Sequence, residues 1–301
     1  VNDLSTFVVV DLVPLVTALV AGLVCTLLGN LLVLRRATLM ADALSHAVLP
    51  GLVAGFLLAG GLVPGALLAG GVVAGLATAA LVAVLRRARV ETGAALGATF
   101  STLFALGIVL LAVFGLDDVH LSVDEVLSGH LATLVWFPPP SGGPIELWSS
   151  LPSATRTVAV VALFVVPLVW LLRKELVACA FDAPFARVSG LRPALLEFLT
   201  LALVSATAVA AFEAVGSVLV VALFTCPAAA ARRLTTNIAS QVALSLALCV
   251  LVITVGYLAA AFGPSLLGAD FGLAPSGLIA ALATLVLVVV ALAPRRAARR
   301  A

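Results

Sequence analysis

Charge is what this sequence has least of. Asp, Glu, Lys and Arg make up 10% of 301 residues, hydrophobic residues make up 63%, and mean hydropathy is +1.30. A soluble domain carries about a quarter charged and about half apolar residues, so a soluble globular fold is excluded and a polytopic membrane protein is expected. One lysine, Lys174, stands beside fifteen arginines among the sixteen basic residues. It is preceded by Arg173, and no G-x-x-x-x-G-K-[ST] occurs, which excludes ATP binding through a P-loop. If ATP drives transport here, another subunit hydrolyses it. H-E-x-x-H is also missing, and three histidines (His46, His120, His130) leave little room for hydrolytic metal chemistry. Cys25, Cys179, Cys226 and Cys249 form no C-x-x-C pair, and three lie in apolar runs. They read as buried, inert thiols rather than a disulfide framework or a thiolate metal site. There is no solenoid period, low-complexity tail or soluble module, so residues 1–301 read as a single transmembrane domain. The opening VNDLSTFVVVDLV lacks a basic signal-peptide region and reads as the edge of the first span.

What is present is a series of apolar runs. Stretches long enough to cross a bilayer, about 20 residues each, fall near 12–34, 38–59, 62–85, 94–115, 155–172, 194–212, 215–231, 240–262 and 273–293. An all-α bundle of about nine spans is predicted. Basic residues cluster at Arg35-Arg36, Arg86-Arg87-Arg89, Arg173-Lys174 with Arg187 and Arg192, Arg232-Arg233, and Arg295 to Arg300. With nine alternating spans, all sixteen except Arg156 fall on one face. The positive-inside rule makes that face cytoplasmic, with the N-terminus outside and the C-terminus inside. The pairs Gly51/Gly55, Gly61/Gly65, Gly71/Gly75 and Gly93/Gly97 have the spacing that lets membrane helices approach closely.

Two connecting segments stand out. The outer one, about 116–154, is acidic at Asp117, Asp118, Asp124 and Glu125 and stiffened by Pro138-Pro139-Pro140. The cytoplasmic one, about 173–193, reads RKELVACAFDAPFARVSGLRP. Its Phe181, Phe185, Val188 and Leu191 recur at three- or four-residue spacing, with Asp182, Arg187 and Arg192 on other faces. That pattern predicts an amphipathic helix outside the bilayer, lying on lipid or docking a cytoplasmic partner.

Residues 38–51, TLMADALSHAVLPG, place Asp42 and His46 four apart. Such residues share a helix face, with Cβ atoms about 5–6 Å apart. In a span beginning near Thr38, Asp42 lies ~6 Å and His46 ~12 Å along the helix. Polar groups at that depth normally face a cavity or a partner. They either neutralise one another by a hydrogen bond or act as ligands. Carboxylate plus imidazole suits Zn, Mn or Fe(II), and a twofold homodimer would supply two of each, enough for a four-coordinate site. Pro50, one turn on, can bend the helix. His120 and His130 lie in the outer segment, where solvated roles compete with a place on the pathway. Glu213, near the outer end of the sixth span, is either an interfacial carboxylate or part of a cation passage. Glu197 can complement a helix N-terminus.

The run LLVLRRATLMADALSHAVLPGLVAGFLL resembles the signature of the permease subunits of zinc/manganese/iron ABC importers. FDAPFARVSGL is similar to that family's cytoplasmic coupling segment, and AVGSVLVVALFTCPAAAARRLT to its apolar run ending in Pro-Ala-Ala. The resemblance implies an all-helical homodimer in the bacterial cell membrane, paired with cytoplasmic ABC ATPase subunits and fed by an extracytoplasmic solute-binding protein. It implies that Asp42 and His46 contact the transported metal. It also implies that the region of Phe181, Asp182, Ala186 and Gly190 couples to the ATPase. Glu213 and the FPPPSGGP stretch depart from the family pattern, both on the side where substrate arrives. The expected function is therefore a transport subunit, not an enzyme, passing a divalent metal cation or a chelate of one. No permanently bound cofactor and no nucleic-acid partner is expected. The rivals are a stand-alone proton-coupled carrier using Asp42, His46 and Glu213 as a relay, and a non-transporting anchor for a surface complex.

Overall fold

The computed structural model describes residues 11–35, 37, 38, 40, 43, 47–61, 63–115, 131, 134, 136, 143–266 and 273–293. Helices account for all the regular structure among them. They are α1 (Leu12–Leu34), α2 (Leu49–Ala59), α3 (Pro64–Arg87), α4 (Thr92–Val113), α5 (Pro144–Ser150) and α6 (Ser153–Leu171). After them come α7 (Arg173–Phe181), α8 (Ala183–Val188), α9 (Pro193–Val215), α10 (Ser217–Leu234), α11 (Ile238–Leu266) and α12 (Pro275–Leu292). Eight of these are long and apolar enough to cross a membrane: α1, α3, α4, α6 and α9 to α12. The remaining expected span, the second at 38–59, appears among the described residues as the eleven-residue α2. The chain is a multi-pass membrane protein.

Local chemistry sets the helix ends. Proline occupies the first turn of α3, α9 and α12, where its missing N–H costs nothing. Glu91 caps α4, its carboxylate accepting from the Gly93 and Ala94 amides at 3.0 Å each. Those two bonds hold the exposed Glu91 carboxyl below its usual range. Between α9 and α10 the chain reverses through Gly216 at φ +84°, a left-handed conformation that a Cβ would oppose.

The main core is built by α1 and α9 to α12, with α6 along one side. Leu28, Leu219, Leu223, Phe224, Ile253 and Ile279 are completely buried there. Gly29 lets α1 lie directly on the backbone of α10 at Phe224, and the Thr26 hydroxyl donates to the Leu223 carbonyl across that crossing at 3.0 Å. Two smaller apolar clusters hold α2 to α4. Leu49, Val53 and Leu111 form one, and Ala43, Val82, Ala95 and Leu96 the other, with Met40 packed against it. Of the glycine pairs read from the sequence, Gly51/Gly55 makes the predicted close approach: Gly51 meets Gly70 and Gly55 meets Ala66, backbone to backbone. Gly61, Gly65 and Gly97 face open space.

The two ends of the bundle differ in charge. Arg35 lies near Glu197 and Cys179. Arg86, Arg87, Glu197 and Met40 surround one hollow of about 540 Å³. Arg232 sits over the Phe181 ring, and Arg233 donates to the carbonyls of Val290 and Ala291. All of these contacts are at one end. At the other, Tyr257 donates to Asp11 (3.1 Å) and Ser153 to Glu213 (3.0 Å), and Arg156 lines a hollow with Trp148 and Gly65. The gathering of arginines at one end is the pattern that marks a cytoplasmic face.

Candidate functional site

Asp42 and His46 lie outside the described residues, as do His120 and His130. Residues close to the first pair in sequence are described. Ala43, Ala47 and Val48 are buried, and Ala43 packs with Val82 of α3 and Ala95 and Leu96 of α4. Further along, Val48 and Val209 close on Gly71 of α3. Beside them Ser205 of α9 donates to the Gly71 carbonyl at 3.2 Å. Ala43 and Val48 are thus bordered by α3, α4 and α9.

One buried hydroxyl in this neighbourhood escaped sequence reasoning. Thr99 sits one turn beyond Ala95 and Leu96 on α4, is 1% exposed, and its hydroxyl has no hydrogen-bond partner among the described residues. Threonines in membrane helices usually bond back to the carbonyl four residues earlier, as Thr78 does to Ala74 at 2.8 Å. Threonine is too common in this sequence for identity alone to have marked Thr99. No group of three or more His, Cys, Asp or Glu is assembled among the described residues.

Glu213 is half-buried on α9, its carboxylate accepting from the Ser153 hydroxyl of α6 at 3.0 Å. Sixteen residues separate it from Glu197, which shares a hollow with Met40, so ~24 Å of helix lies between the two carboxylates. Glu213 belongs to the outer end, and Met40, which precedes Asp42 by two residues, to the basic end.

The expected single amphipathic helix over 173–193 is instead two helices meeting at Asp182, at φ −144° and ψ 90°. The cause is Pro184, which has no N–H to give the Ala180 carbonyl and whose ring collides with it, so α7 cannot continue. Asp182 turns the break into a start: its carboxylate accepts from the Phe185 amide at 2.9 Å. Gly190, at φ +82°, ends α8, with the Leu191 amide returning to the Ala186 carbonyl at 3.0 Å and the Gly190 amide to Arg187 at 3.1 Å. Ala186 is fully buried under the short helix, while Phe181, Phe185 and Val188 are 57%, 63% and 89% exposed. The four residues named from the sequence therefore have distinct structural parts: an exposed ring, an N-cap, a buried contact and a left-handed stop.

Comparison with known proteins accords with this architecture. The chain is 36% identical over 241 residues to the manganese transport system membrane protein MntD of Bacillus subtilis, covering 80% of each. It is 30% identical over 269 residues to the chelated iron transport system membrane protein YfeC of Yersinia pestis, covering 89% of this chain and 80% of that one. Among solved structures, PsaBC from Streptococcus pneumoniae in complex with Fab superposes with a TM-score of 0.73 at 25% identity, over 94% of this chain and 91% of that chain. The ABC 3 transport family matches residues 12–136 and 152–293, and the chain belongs to that family as a membrane-spanning permease.

Proposed function

We propose that the chain imports a divalent transition metal, free or chelated, as the permease half of an ABC transporter whose ATPase is a separate cytoplasmic subunit. The observation that carries this reading is similarity along most of the chain to membrane proteins of manganese and iron transport systems. Within that frame Asp42 and His46 are the metal-contacting pair. A hard carboxylate and an imidazole together suit Mn(II), Fe(II) and Zn(II) and discriminate against the alkali cations. Two copies of the chain related by a twofold axis complete the ligand set, and an extracytoplasmic binding protein delivers the cargo at the end where Glu213 lies. His130 and Glu213 are candidates for the outer approach.

The coupling role falls to Phe181, Asp182, Ala186 and Gly190. Three exposed apolar side chains on a helix pair at the arginine-rich end suit a protein partner, since together they present a patch that water disfavours. The capped, glycine-stopped α8 suits a rigid element able to transmit a push. A stand-alone proton relay through Asp42, His46 and Glu213 has no support from the family.

The test is uptake of radioactive Mn²⁺ by cells that depend on this permease. His46→Ala and Asp42→Asn are each expected to abolish ATP-dependent uptake while the permease still co-purifies with its ATPase. Wild-type uptake in both variants overturns the site assignment. Uptake collapsed by a protonophore but insensitive to ATP depletion would favour the carrier instead.

A further inference from the structure

A buried polar chain runs from the cytoplasmic helix pair into the bundle. It begins at Phe181, the last residue of α7, whose ring lies 5.8 Å from the Arg232 guanidinium of α10. Arg232 Nη1 donates to Gln241 Oε1 of α11 at 3.3 Å. Gln241 Nε2 donates to Asn30 Oδ1 of α1 at 3.0 Å. Asn30 Nδ2 in turn donates at 2.8 Å to both Ser245 Oγ of α11 and the Thr26 carbonyl. Ser245 Oγ then donates to the Val242 carbonyl at 2.8 Å. Gln241 and Ser245 have no exposed surface and Asn30 has 1%.

The direction of this chain is fixed at its first member. A guanidinium has donors and no acceptor, so Gln241 must turn its oxygen to Arg232 and its nitrogen to Asn30. Asn30 must then accept from Gln241 and donate onward. Each amide has a single workable orientation, and it is set from Arg232. The two ends differ in strength. The contact with Phe181 is exposed and is of the weak, adjustable kind. The inner bonds are buried in a medium offering no water as substitute. When α7 moves, the guanidinium either follows the ring and pulls on Gln241, or stays and loses the ring.

From this geometry we infer that Arg232 is a positioning residue for transport. It ties the position of α7 and α8 to the packing of α1 against α11, and α1 leads directly into the segment that bears Asp42 and His46. The inference rests on the coupling role proposed for α7–α8, and it adds a residue, Arg232, and a route, Gln241 to Asn30, that the coupling segment itself does not contain.

The test uses the full chain with its ATPase subunit in liposomes, with the extracytoplasmic binding protein supplied with Mn²⁺ on the substrate side, and Mn²⁺ uptake and ATP hydrolysis measured in the same vesicles. In R232M, hydrolysis is expected to continue while metal moved per ATP falls at least about fivefold, the lower end of ordinary coupling between sites. R232K keeps a donor for Gln241 but replaces the flat cation over Phe181 with a compact ammonium, and should fall between R232M and wild type. A purely structural role lowers uptake and hydrolysis together, in proportion to folded complex. Metal per ATP unchanged in both variants overturns the inference, and if R232M does not fold, an unchanged ratio in R232K alone does so. A wild-type chain showing no ATP-dependent uptake overturns the permease reading itself, which the wild-type arm tells apart from failure of the variants.

Discussion

Replacing Asn30 by leucine asks whether the buried amides act as a unit. Asn30→Leu removes two interhelical hydrogen bonds, to Ser245 and from Gln241. In a membrane each is worth about 0.6 kcal/mol on average. It also orphans the Gln241 side-chain nitrogen, which has no exposed surface, and an unsatisfied buried donor costs about 1–3 kcal/mol. The single variant should therefore lose roughly 2–4 kcal/mol. Asn30→Leu with Gln241→Leu removes the orphan as well as its partner, and apolar replacement of both sides of a bond is nearly neutral. Arg232 is half-buried near the bundle end and can extend its guanidinium to water when Gln241 is gone. The double variant is thus expected to be more stable than Asn30→Leu alone, recovering at least about half of the loss. Equilibrium unfolding of the detergent-solubilised protein measures all three species. A double variant no more stable than Asn30→Leu would refute the reasoning, because it would mean that Gln241 finds another partner once Asn30 is absent.

Two further perturbations probe the coupling segment and α4. Gly190→Ala forces a Cβ into the left-handed stop of α8, at a cost of about 1–2 kcal/mol. Hydrogen exchange should show the Leu191 amide, bonded to Ala186, opening about tenfold faster, and unchanged exchange would argue against the strain. At the start of α4, the Glu91 carboxyl is held below its ordinary value by the amides it caps. A depressed folded pKa gives stability that is complete above the unfolded carboxylate pKa, about 4.3, and is lost as pH falls through the lower folded value. Glu91→Gln should flatten that acid limb in melting curves recorded against pH, and an unaltered limb would exclude Glu91 as its source.

Hydropathy and arginine placement made the bundle legible because both follow from the cost of burying charge in lipid. Arg35, Arg86, Arg232 and Arg233 could be assigned to one end before any contact was known. The break in the cytoplasmic segment was equally written, in Pro184 following Asp182 by two residues, but apolar spacing masked it: Phe181, Phe185 and Val188 keep helical intervals across the interruption. The Gly51/Gly55 close approach was legible only as one candidate among four, since spacing does not reveal which glycines meet a neighbour's backbone. Least legible was the polar chain. Asn30 stands in one apolar run and Gln241 and Ser245 in another, and only the packing of α1 against α11 makes them neighbours.

The packing also separates two bodies that the sequence runs together. Ala37 packs against the large core of α1, α6 and α9 to α12, while Met40 and Ala43 pack into the small cluster of α3 and α4. Within three residues the chain leaves one apolar body for the other, and the Asp42–His46 segment starts there. Tight bodies resist deformation, because each lost contact inside a close-packed core is felt in full. The two bodies also meet along α3 and α9, where Val209 closes on Gly71 and Ser205 donates to its carbonyl, so any relative movement must shift that contact. The ligand pair proposed for Asp42 and His46 follows this crossing in the sequence, so a shift of one body against the other would alter its surroundings. Arg232 belongs to the larger body and touches the cytoplasmic helices, so it stands on the far side of the same division. A push received at Phe181 reaches α1 through bonds internal to the larger body, and α1 leads into the segment proposed to contact the metal.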